Sequence, residues 1–187
     1  MQNLKYPIGD FKSPEHISPD QLSDWITDIK QFPQKLKSLV QGLRKDQLGW
    51  HYRPGGWTIH QVIHHCADSH MNSFIRFKLA LTEDSPTIKP YLEHLWAEMP
   101  DTLSANIDTS ISILEGLHHR WGILLDNLGT DDLESVFIHP EHGKRFTLGE
   151  TIALYSWHGN HHLAHVEQAI RFKGNFGEFG DENTGVV

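Results

Sequence analysis

The sequence predicts an all-α protein: a four-helix bundle with one long crossover loop and a small hairpin before the last helix. Three observations lead there. Four stretches of about 20 residues repeat apolar side chains every three or four positions, the period that gathers them on one helical face. Three of these stretches open on a capping box, in which a Ser or Thr side chain and a Gln or Glu three residues later satisfy each other's free N–H groups; the pairs are Ser18 with Gln21, Thr58 with Gln61, and Thr147 with Glu150. The one run with strand character is short, residues 136–146, and turns around Glu141, His142 and Gly143.

Residues 1–17, broken by Pro7, Gly9 and Pro14, read as an irregular leader. Ser18 then caps the first long helix, with Pro19 at its first position. Its apolar face is Leu22, Trp25, Ile26, Ile29, Phe32, Leu36, Leu39, Val40 and Leu43. Pro33 lies inside that face; it has no N–H and its ring crowds the preceding turn, so a kink or a split is expected there. Residues 48–56 form a loop ending in Arg53-Pro54-Gly55-Gly56. The second long helix runs from Thr58 to about Leu81, with Trp57 able to staple onto Val62 and with Ile59, Val62, Ile63, Cys66, Phe74, Phe77 and Leu81 inward. Residues 82–105, with Pro86, Pro90 and Pro100, form the crossover; its apolar patch of Tyr91, Leu92, Leu95 and Trp96 suits a binding wall, a lid or a short extra helix. The third long helix covers about 108–128, with Ile111, Leu114, Trp121, Leu125 and Leu128 inward and with His118 and His119 expected at the surface or bundle edge. Beyond Gly174 no apolar period remains. A single domain over residues 1–175 and a loose tail over 176–187 are therefore expected.

A chain of 187 residues can bury one core without staples. Its net charge of -8, with 16 scattered basic residues, argues against nucleic acid as a partner. No run has the length of a membrane span. The lone Cys66 cannot close an intrachain disulfide and no basic-then-apolar leader is present, so a reducing cytoplasm is the expected compartment. Fifteen histidines, nearly as many as Lys and Arg together, are the compositional anomaly, and they point to metal binding.

The densest histidine run is Trp157-His158-Gly159-Asn160-His161-His162-Leu163-Ala164-His165, inside the last helix. Residues four apart stack one turn above each other, so His158 and His162 share a face. The inward line Leu148, Ile152, Tyr155, Gly159, His162, Val166, Ile170 places His162 in the core stripe with His158 beside it. Burying an imidazole costs free energy unless its nitrogens find partners, and both a cation and neighbouring hydrogen-bonding groups supply them. On the second helix His64 and His65 flank the apolar stripe on opposite sides, and periodicity does not choose between them. His70 lies within the stripe as a core or supporting histidine. Cys66 also sits there, which favours an inert buried thiol over a soft-metal ligand.

Four segments resemble the DinB-like metalloprotein superfamily, and within it the YfiT-like family of metal-dependent hydrolases and bacillithiol S-transferases. They are Tyr6-Pro7-Ile8-Gly9, Gly55-Gly56-Trp57-Thr58, the run from His64 through Leu79, and Trp157-His158 through His165. The likeness covers about residues 5–172. It departs at Cys66, where leucine is more usual, and at Gly159-Asn160, where the family varies; neither removes a ligand. The resemblance implies that the histidine before the Cys-Ala-Asp run, His65, joins His158 and His162 around one divalent ion, Zn2+ first and Ni2+ as the alternative. Three imidazoles leave a coordination position open, where a cation lowers the pKa of water or favours a thiolate. The family thus implies a thiol S-transferase joining a bacillithiol-type thiol to an electrophile; a hydrolase and a non-catalytic metal-binding bundle are the alternatives. His161, His165, Asp68 and Glu167 lie within a turn of a ligand and could orient an imidazole or carry a proton. Arg76 and Lys78 could hold carboxylates of a co-substrate. Bundles of this kind are expected to be homodimers.

Overall fold

All three capping boxes form in the computed structural model, which describes residues 3–141 and 143–177. Each opens a long helix: α1 (Pro19–Val40), α3 (Ile59–Thr82) and α8 (Leu148–Phe172). The fourth long helix, α6 (Ile107–Asp126), is capped by Asn106, whose side chain accepts from the Asp108 N–H. Between them lie the short turns α2 (Lys45–Leu48), α4 (Glu93–Trp96), α5 (Pro100–Ser104) and α7 (Thr130–Leu133), and the antiparallel hairpin β1 (Val136–His139) with β2 (Lys144–Thr147).

α1 packs on α6 and α8, and α3 packs on the same two, so the order around the bundle is α1, α6, α3, α8. The chain steps across the diagonal twice, from α1 to α3 and from α6 to α8. The predicted crossover, by contrast, joins the neighbours α3 and α6. It is also more ordered than a loop: α4 and α5 form within it, Ile88 and Ala97 are buried, and its backbone pairs with β1 through Ile88 N–H to Ile138 C=O at 3.0 Å and Ile138 N–H to Pro86 C=O at 2.8 Å.

α1 is not split at Pro33. The ring is buried inside one continuous helix. The price of a proline there is an unpaired carbonyl four residues earlier, on Ile29; that carbonyl instead accepts from Nδ1 of His118 on α6 at 2.6 Å. His118 is thus a buried residue, 2% exposed, and not the surface or edge histidine the sequence suggested. Its neighbour His119 does face solvent.

Two apolar clusters fill the bundle. One gathers Leu36, Val62, Ile63, Leu114, Leu163 and Val166; the other gathers Ile29, Phe77, Trp121, Leu125, Leu148 and Ile152. The change from one to the other falls at the same level on every long helix: after Ile29 on α1, between Ala67 and Phe74 on α3, between Leu114 and Trp121 on α6, and between Tyr155 and Leu163 on α8. That level is where His70, His118, His158 and His162 lie. Each apolar side chain fully buried beside it contributes about 1.5–3 kcal/mol, which secures the frame without help from the polar layer. Gly159 lets α8 approach α1 here, since a Cβ would meet the Phe32 ring at 3.0 Å.

The leader lies along α8. Leu4 C=O accepts from Gln168, Lys5 C=O from His165, and Gly9 C=O from the Trp157 indole at 3.2 Å. At the other end Phe176, within the stretch expected to be loose, is 7% exposed and packs on Phe172; residues 178–187 of that stretch lie outside the described residues. No helix among the described residues is long and apolar enough to cross a membrane.

Candidate metal centre

The bundle order puts α3 beside α8, and this is what brings His65 against the α8 pair. His65, His158 and His162 each offer a ring nitrogen, and the three atoms lie within 4.8 Å of one another. Ring centroids are 4.9 Å apart for His65 and His162, 5.6 Å for His65 and His158, and 4.5 Å for His158 and His162. His65 and His162 are buried while His158 keeps part of its surface open. Burial pushes His65 down to about 4, and burial together with the neighbouring imidazoles holds His158 and His162 well below the ordinary histidine value. All three therefore carry bare lone pairs at neutral pH. No hydrogen bond to the His65 ring forms among the described residues. Three convergent neutral imidazoles, one lacking any other partner, fit a divalent ion such as Zn2+.

His64, the other candidate on α3, points away from this group. Its Nδ1 hydrogen-bonds with the Ser110 hydroxyl at 2.7 Å and its ring meets His60. Cys66 is fully buried, and burial pushes its thiol up, so it stays protonated.

Behind the three imidazoles stand others. His158 Nδ1 hydrogen-bonds with His70 Nε2 at 3.1 Å, and His70 Nδ1 with His118 Nε2 at 2.7 Å. His162 Nδ1 meets His165 Nδ1 at 3.4 Å, and His165 Nε2–H donates to Lys5 C=O at 3.1 Å, with the Tyr52 ring stacked on His165 at 3.7 Å. His161 is sandwiched by Trp157 and Tyr6, and its buried Nδ1 has no hydrogen-bond partner among the described residues. Beside His158 the Ser69 hydroxyl lies 3.5 Å from Nε2 and 3.2 Å from the Tyr155 hydroxyl.

The remaining sequence candidates are dispersed. Asp68 forms no hydrogen bond to the imidazoles among the described residues, although burial, reinforced by Asp101, raises its carboxyl to about 6. Glu167 faces solvent on the outside of α8 and so orients no ligand, because residue 167 falls on the opposite face from 158 and 162. Arg76 is half-buried and lines a cleft with Tyr91, Glu93 and His139. Lys78 is exposed, its ammonium 5.4 Å from the Phe74 ring centre. Sequence reading undervalued His118, yet the signal was present: it continues the inward steps Ile111, Leu114, His118, Trp121.

Comparison with known proteins shows the family of the chain. The pattern of the DinB superfamily matches residues 28–166. A protein of Bacillus cereus (strain 03BB102) named "Putative metal-dependent hydrolase" is 50% identical over 166 residues, covering 89% of this chain and 95% of its own. A Bacillus thuringiensis subsp. konkukian protein of the same description is equally similar. The solved structure of YfiT from Bacillus subtilis, described as "a probable metal-dependent hydrolase with an unusual four-helix bundle topology", superposes with a TM-score of 0.89 at 45% identity, covering 92% of this chain and 98% of its own. By sequence, fold and helix order, the chain belongs to the DinB superfamily.

Proposed function

We propose that this protein is a divalent-metal-dependent enzyme acting on small molecules, and that the nucleophile it activates is a low-molecular-weight thiol of the bacillithiol type, transferred to an electrophile. The observation that supports this reading is the make-up of the cluster: three neutral imidazoles, no carboxylate among them, and His158 only partly buried. Neutral ligands leave the double charge of the ion uncompensated, which favours an anionic nucleophile in the remaining position. When bound, the ion supplies Lewis-acid chemistry that favours the deprotonated form of a thiol or water.

The chain's own residues hold and shield that position. His65, His158 and His162 would hold the ion between α3 and α8, with the apolar clusters of the bundle on either side. Ser69 puts a hydroxyl beside His158, and the Tyr155 hydroxyl behind it donates to Ser69 C=O; burial pushes the Tyr155 hydroxyl up, so it stays protonated at neutral pH. In the transfer the thiol gives up its proton to solvent water, its sulfur forms a bond to the electrophilic carbon, and the leaving group departs with the bonding pair.

Hydrolysis is the second reading, favoured by the names of the Bacillus relatives. Incubating the metal-loaded protein with a generic alkylating electrophile, with and without low-molecular-weight thiols, separates the two by product mass. A thioether conjugate that needs metal, thiol and intact His162 supports transfer. A hydrolysed product formed without thiol replaces transfer by hydrolysis, and product no greater than with His162→Ala leaves a bundle that binds metal without catalysis.

A further inference from the structure

Each α8 histidine of the cluster has its second nitrogen tied to a chain of imidazoles, and each chain ends on a backbone carbonyl. A carbonyl only accepts, so it gives the chain a direction. Ile29 C=O, deprived of its helical donor by Pro33, takes the Nδ1–H of His118 at 2.6 Å. His118 Nε2 is then a lone pair and accepts Nδ1–H of His70 at 2.7 Å. His70 Nε2 accepts in turn from Nδ1–H of His158 at 3.1 Å, and the nitrogen His158 has left is Nε2, unprotonated, with the Ser69 hydroxyl 3.5 Å away. The second chain reads the same way. Lys5 C=O takes Nε2–H of His165 at 3.1 Å, so His165 Nδ1 accepts from Nδ1–H of His162 across a longer 3.4 Å, and His162 too is left with a bare Nε2.

We propose that His70, His118 and His165 are positioning residues: two carbonyl-anchored imidazole chains, one made possible by Pro33 inside α1, hold His158 and His162 in the Nδ1–H tautomer before any metal arrives. An imidazole free to choose divides between two tautomers, and the fraction protonated on Nε2 cannot donate that nitrogen to an ion. The chains remove that fraction and fix the ring planes as well. Burial supports the argument, since His70 and His118 are 1% and 2% exposed and water does not compete for the nitrogens that make the chain. The inference rests on the reading of His158 and His162 as ligands.

Long-range proton–nitrogen correlation spectra of the metal-free protein, with 15N-labelled histidine, read the tautomers directly. His70, His118, His158 and His162 are expected to carry the proton on Nδ1, and His165 alone on Nε2. His118→Phe keeps a ring against Phe32 and Trp121 but removes the anchor; His158 should then populate both tautomers, and zinc affinity, measured by chelator competition, should fall about 10–100-fold. Pro33→Ala keeps His118 but returns a helical donor to Ile29, and should shift both readouts the same way by less. If His118→Phe does not fold, the wild-type spectrum and Pro33→Ala decide. A proton on Nε2 of His158 or His162 in the wild type, or an unchanged His158 tautomer and zinc affinity in His118→Phe, overturns the proposal. Wild-type protein that takes up no zinc would instead defeat the ligand reading, and the tautomer pattern would still report on the chains.

Discussion

The two helices that build the cluster hold their histidines by different means. On α8, His158 and His162 each have Nδ1 engaged by another imidazole, and those imidazoles end on carbonyls of α1 and of the leader. On α3, His65 sits among Val62, Ile63, Cys66 and Ala67, all within 2% of complete burial, and no hydrogen bond reaches its ring among the described residues. Its orientation comes from packing, with the Trp57 ring centred 4.6 Å away. Hydrogen bonds select both ring plane and tautomer, whereas packing selects the plane alone. Under the proposed ligand assignment the α8 pair would be preset for an ion, while His65 would settle its tautomer when the ion binds.

The largest test of that contrast removes a ligand. His158→Ala or His162→Ala should reduce bound metal from about one ion per chain to background, with most helical signal kept, because the apolar clusters stand without the ion. Equilibrium dialysis and far-ultraviolet circular dichroism measure both. Undiminished metal in the two variants would remove the cluster's assignment and the comparison with it.

Acid should act next most strongly, on the chelator-treated protein. Burial pushes His65 and His118 down to about 4, against about 6.5 in an unfolded chain. As pH falls below about 6.5 the unfolded chain takes up these protons first, so the stability is complete above that value and drains away toward pH 4. Each histidine accounts for about 3 kcal/mol by the bottom of that window, at about 1.4 kcal/mol per unit of depression. Urea unfolding at about pH 7.5, 5.5 and 4.5 reads the slope; equal midpoints would show that these rings are not buried as neutral bases.

Trp57→Leu should separate the two helices more finely. It takes away the wall behind His65 and leaves both imidazole chains intact, so zinc affinity should fall about tenfold while the α8 tautomers stay as they were. An equal disturbance of His158 would mean that α8 leans on the same packing as α3.

Sequence showed some of this plainly. The capping boxes at Ser18, Thr58 and Thr147 are local, set by residues three apart, and each forms where it was read. The clustering of His158 with His162 follows from helical spacing alone. What did not show depends on which helices become neighbours. Periodicity left His64 and His65 equivalent, and only the placement of α3 beside α8 turns one toward the pair while the other finds Ser110 on α6. Pro33 read as a break because the sequence does not reveal that His118, 85 residues later by number, would supply the missing donor to Ile29. Glu167 looked near because it follows His162 by only five residues, but at about 100° per residue that offset turns it about 140° away, to the outer face.

The smallest effect lies in the caps. Thr58→Ala and Thr147→Ala each remove one side-chain acceptor at a helix N-terminus, from the Gln61 and Glu150 N–H groups respectively, and each should cost about 1 kcal/mol of stability. Their effects on metal should differ. His65 follows its cap by about two turns and has only packing to hold it, so fraying at the start of α3 reaches the ring. His158 follows Thr147 by about three turns and is tied through His70 and His118 to a different helix, so fraying at the start of α8 stops short of it. Thr58→Ala should therefore weaken zinc binding about twofold and Thr147→Ala should not, although their unfolding midpoints fall together. Equal losses of affinity in the two would mean that the hydrogen-bonded chains hold the α8 ligands no more firmly than Trp57 holds His65.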